Sequence, residues 1–189
     1  MGSFGKIIAA IAVIAAIGAI SARAEINLLA EENPLIIAIS NGSLAEAQQA
    51  LLRGSNANAR DQNGMPAIML ATSSGEVDVA RLLLDSNAAA DVQDEYGNSA
   101  LMLAAQRGDL DLVKLLLAHG ANPNLANKSG ETPLIKGAKA GHAAVVTQLV
   151  HSGAKVNLTD YTGRSAFSYA RDNRRAQVIK VLSEAGAAR

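Results

Sequence analysis

From residue 28 onward, short runs rich in Ala, Leu, Ile and Val alternate with short polar runs, and the alternation returns every 33 residues. Residues 94–126 show one full unit. The segment Ser99 to Arg107 is short and rich in Ala and Leu, which predicts a helix. Gly108 stands where a residue in left-handed geometry would end that helix. From Leu110 to His119, apolar Val113, Leu116 and Leu117 fall at i, i+3 and i+4 and predict a second helix, closed by Gly120. The polar runs Asn122-Pro123-Asn124 and Asn127-Lys128-Ser129-Gly130 then supply turn chemistry. Each unit therefore reads as helix, turn, helix and projecting loop. Small Ala104 and Ala105 let neighbouring helices approach closely.

Single residues keep the same step. Gly64, Gly97, Gly130 and Gly163 are spaced by 33, as are Gly42, Gly75, Gly108 and Gly141. Gly54, Gly120, Gly153 and Gly186 follow the same rule, with Asn87 in the missing slot. Asn58, Asp91, Asn124 and Asn157 form another column; Asp61, Asp94 and Asp160 form a fifth, with Asn127 filling its gap. Chance does not align five columns at one period, so the chain is a repeat array.

The units resemble ankyrin repeats. Glu131-Thr132-Pro133-Leu134 carries the Thr-Pro-Leu start of the first helix, and Gly141-His142 matches the Gly-His between the helices. Leu115-Leu116-Leu117 and Gly120-Ala121-Asn122 match the end of the second helix and its turn. The resemblance covers about 28–189, in repeats of about 28–60, 61–93, 94–126, 127–159 and 160–189. It implies an all-α solenoid of about five helix-turn-helix units with projecting hairpin loops. The end units depart from the pattern: the first has only Asn33-Pro34-Leu35 at its helix start, and the last has Arg174-Arg175 in the Gly-His slot. Such departures suit caps, which turn a polar face to water. The His that follows Thr-Pro-Leu in the family is replaced throughout, by Ile36, Met69, Met102, Ile135 and Ser168. The polar links that this His makes in the family are then expected to give way to packing.

The first 24 residues follow another pattern. Lys6 supplies a positive start, Ile7 to Ile20 is an apolar run of 14 residues, and Ala22-Arg23-Ala24 is an A-x-A cleavage signature. This predicts a signal peptide over residues 1–24, cleavage after Ala24, and a periplasmic or secreted domain over 25–189. The competing reading is an uncleaved anchor, for which the run falls short of the roughly 20 apolar residues a spanning helix needs.

Composition sharpens the picture. With 49% hydrophobic residues a packed core is available, but 3% aromatic and no Trp leave it to Ala, Leu, Ile and Val. There is no Cys for a disulfide or a thiolate metal site. The formal net charge is zero, and removing residues 1–24 leaves 15 basic against 17 acidic residues. That balance speaks against nucleic acid or an anionic membrane as partner.

Catalytic chemistry finds no foothold. The only histidines are His119, His142 and His151. His142 fits the Gly-His slot, where the resemblance implies that it ties helix to turn; the other two fall near the ends of second helices, where a cationic ring suits the dipole. No HExxH, GxxxxGK[ST] or strand-led GxGxxG occurs, so neither metal nor cofactor is expected. Asp94-Glu95 and Glu31-Glu32 read as solvated edges. The last unit, with Arg164, Arg171, Arg174, Arg175, Lys180 and Arg189, reads as a charged cap, and alternatively as a patch for an acidic partner.

The expected function is therefore to bind another protein as a monomer, without catalysis. The resemblance implies contact through the tips of the projecting loops and the exposed side of the first helices, which together line the concave face of the solenoid. Carried over by register, the second unit offers Gln62, Asn63, Met65, Ser73 and Ser74. The third offers Glu95, Tyr96, Asn98, Gln106 and Arg107; the fourth, Lys128, Ser129, Glu131, Lys139 and Ala140. The fifth offers Tyr161, Thr162, Arg164, Asp172 and Asn173. Tyr96 and Tyr161 stand out, because Tyr is enriched at interface hot spots; the plainer reading is that each ring covers its neighbouring loop. A periplasmic or secreted adaptor or inhibitor is the leading expectation. A secreted effector engaging a host protein and a membrane-anchored scaffold are the alternatives.

Overall fold

A computed structural model of the chain describes residues 33–188. The leader expected over 1–24, its cleavage point and the start of the first unit lie outside the described residues, as does Glu31-Glu32. Among the described residues, ten helices form five successive pairs. They are α1 (Pro34–Ser40) and α2 (Leu44–Leu52), α3 (Ala67–Ser74) and α4 (Val77–Asp85), and α5 (Ala100–Arg107) and α6 (Leu110–Ala118). α7 (Pro133–Ala140) with α8 (Ala143–His151) and α9 (Ala166–Asp172) with α10 (Ala176–Glu184) complete the array. Each first helix packs on its own second helix and on the first helices of adjacent pairs, and second helices stack likewise. This is the expected all-α solenoid. Among the described residues, strand pairing is limited to isolated bridges such as Gln93 with Ser99 at the necks of the loops. No described helix is long and apolar enough to cross a membrane.

Local chemistry explains the helix ends. The side chains of Ser99, Thr132 and Ser165 cap α5, α7 and α9 by accepting from the backbone N–H three residues on. Gly75, Gly108 and Gly141 end α3, α5 and α7 in the left-handed region, with φ of 78°, 80° and 96°. Asn87 fills its glycine slot with φ 63°, and Arg174 adopts φ 55° where the other units have glycine. The core is aliphatic, with Leu35, Ile68, Leu83, Leu101, Leu112, Leu116, Leu134 and Leu149 fully buried among many alanines. Ile36, Met69, Met102 and Ile135 are buried too, so packing has replaced the family's polar links at that column. Ser168 is half-buried and hydrogen-bonds to Ser165 instead.

Candidate interaction surface

Each projecting loop is held by one side chain at its base. The Oδ1 of Asp61 accepts from the backbone N–H of Asn63 and Met65 at 2.9 and 2.7 Å. Asp94 does the same for Tyr96 and Asn98, Asn127 for Ser129 and Glu131, and Asp160 for Thr162 and Arg164. Asp and Asn share the oxygen this requires, which is why they share the column. Asp94 is thus a loop anchor rather than a solvated edge. Adjacent loops are also joined through the backbone: Lys128 N–H donates to Tyr96 O, and Tyr161 N–H to Ser129 O, each at 3.0 Å. These contacts need Gly97 and Gly130 beneath them, because a Cβ on either would lie 2.8 Å from the backbone nitrogen of Lys128 or Tyr161.

The predicted loop-tip residues divide in this frame. Gln62, Asn63, Glu95, Tyr96, Lys128, Ser129, Tyr161 and Thr162 are exposed, with Tyr96 at 65% and Tyr161 at 79%. Tyr161 also lies against Gly130, so its ring both covers the preceding loop and meets solvent. Glu95 beside Tyr96 raises the phenol above its ordinary value. Met65 is half-buried against the core, and Asn98 is half-buried with its amide on Asp94 and Asn127.

Behind the loops, side chains tie each unit to its neighbour. Arg107 donates to Ser73 O at 2.6 Å, His142 to Gln106 O at 3.1 Å, and Asn173 to Lys139 O at 3.1 Å. His142 therefore joins its unit to the end of the preceding α5, not helix to turn within its own unit. A second ladder runs along the turns. Asn58, Asp91, Asn124 and Asn157 each accept from a backbone N–H 31 residues on, at 2.7–2.9 Å.

Glu131 is not a free loop-tip carboxylate. It is buried, with its oxygens on Lys136 at 2.6 Å and Lys139 at 3.2 Å. Burial pushes its carboxyl up, but the two lysines and Asn127 outweigh that and hold it below its ordinary value. One unit later the same two positions carry the opposite signs, and Arg164 pairs with Asp172. Tyr169 joins the pairs: Lys139 Nζ is 4.9 Å and Arg164 Cζ 4.0 Å from its ring centre. Its hydroxyl donates to Asp160 at 2.7 Å. Tyr169 and Lys136 escaped the sequence reading. The sequence pairs the columns of Glu131 with Lys139 and of Arg164 with Asp172, but neither Tyr169 nor Lys136 stands in them, so only the fold brings these two residues to the cluster.

No group of three or more potential ligands sits together among the described residues. Compared with known proteins, the chain matches a family model for ankyrin repeats in three overlapping stretches, residues 15–96, 35–127 and 101–188. No curated protein matches it.

Proposed function

The chain belongs to the ankyrin-repeat family, and on that premise we propose that it is an exported adaptor or inhibitor holding a protein partner on its loop tips and first helices. Ankyrin repeats mediate protein–protein interaction and are not catalytic modules. The observation that carries the reading is the pair of exposed aromatics, Tyr96 and Tyr161, on loops braced by backbone hydrogen bonds. A rigid aromatic at a tip contributes contact area at small entropic cost. The signal-like pattern of residues 1–24 supports export.

Two measurements test this. The chain immobilised as bait is exposed to extract of the producing cells, alongside Tyr96→Ala and Tyr161→Ala. Loss of one specific bound protein with each folded variant is expected; equal capture by all three refutes the assigned face. Intact mass of the chain recovered outside the cytoplasm is expected to begin at Glu25, and a mass that retains residues 1–24 refutes cleavage.

A further inference from the structure

Charge is divided along the array although its sum is zero. Residues 61–126 hold nine acidic and three basic side chains; residues 127–189 hold four acidic and ten basic. In the last two units three of the four acids are also spent internally. Glu131 is buried under Lys136 and Lys139, Asp160 is buried under Thr162 and Tyr169, and Asp172 is shared by Arg164 and Arg171. Four cations, Lys136, Lys139, Arg164 and Arg171, thus face three carboxylates in the cluster that includes Tyr169, and the Lys139 and Arg164 side chains remain 49% and 40% exposed. Both are held in place before any partner arrives, by the ring they share and by their own ion pairs. Preordered cations bind an anion with little further ordering cost.

We infer that this end of the face takes an acidic segment of the protein partner, its carboxylates lying across Lys139 and Arg164 beside the Tyr169 ring. The inference rests on the protein-binding reading and specifies the chemistry and polarity of the partner. Protein is favoured over nucleic acid because the preceding two units are acidic. A long polyanion running along the array would be repelled there, whereas a short acidic stretch would not.

The test is a fluorescence anisotropy titration of the full chain with a labelled deca-glutamate peptide, at low and high salt. Salt-sensitive binding is expected, weakened about five- to tenfold by Lys139→Gln and by Arg164→Gln. Lys180→Gln, a charge-matched change on α10, should bind the peptide as the parent does. Lys139→Gln leaves Glu131 paired with Lys136, so it reports on docking even where Arg164→Gln impairs folding. Absence of peptide binding, equal weakening by Lys180→Gln, or tighter binding of oligothymidine or phosphatidylglycerol vesicles would each overturn the inference. Failure here with Tyr-dependent capture intact removes the acidic segment and leaves the protein-binding reading standing.

Discussion

Asp160 shows how much one side chain does in this array. Burial alone would push its carboxyl up, but hydrogen bonds from Thr162, Tyr169 and the backbone of Arg164 outweigh that and hold it at about 2, against an ordinary 3.8. A lowered value means stability that is complete above about pH 4 and lost as the pH falls towards 2. The difference corresponds to about 2 kcal/mol. Asp160→Asn keeps the accepting oxygen, as Asn127 does in the preceding unit, and removes the charge. The variant is expected to lose about 1–2 kcal/mol at pH 7 and to show a shallower acid limb. Urea denaturation across pH 2–7 measures both, and superimposable acid limbs would refute the assignment. At this scale the sequence discloses position more readily than role. The Asp/Asn column is visible as a period, but which backbone N–H groups it serves depends on the loop's path. Glu131 looked like a loop-tip contact because its column holds Met65, Asn98 and Arg164, and only the fold brings Lys136 and Lys139 onto it.

The helices were legible almost to the residue, because their ends are written in local chemistry. Ser99 and Thr132 cap from their own positions, and Gly108 and Gly141 stop the chain with positive φ. The exception is the end of α9. Arg174 takes φ 55° there, and its side chain is exposed, with no hydrogen bond among the described residues. A left-handed conformation costs a non-glycine residue roughly 1–2 kcal/mol. Arg174→Gly is therefore expected to stabilise the protein by about 1 kcal/mol. Chemical denaturation at neutral pH reads the shift, and a midpoint unchanged or lowered would mean that the conformation carries no strain at this position. The gain should leave α9 and α10 otherwise alone, since Arg175 N–H still donates to Ala170 O as the equivalent groups do elsewhere.

The described array is a chain of neighbours, in which helices pack chiefly on their own unit and the adjacent ones. Stability in such arrays is a sum of unit and interface terms, so it is set locally by what each helix buries. The second helices differ sharply in this. α6 buries Leu112, Val113, Leu115 and Leu116, and α4 buries Val79, Ala80, Leu83 and Leu84. α2 buries only Ala47 and Ala50, and α10 only Val178 and Leu182. Each fully buried Val or Leu side chain contributes roughly 1.5–3 kcal/mol, so the middle of the array is held well above its ends. Native-state hydrogen exchange is expected to follow that order, with amides of α2 and α10 opening first and those of α4 and α6 last. Equal protection of α6 and α10 would mean that the array opens only as one body and that local burial does not set its stability. The same gradient bears on binding. The acidic segment inferred above docks near the weaker end, on α7 and α9, so the deca-glutamate peptide should slow exchange in α9 and α10 more than in α4. Uniform slowing would place the bound peptide elsewhere on the array.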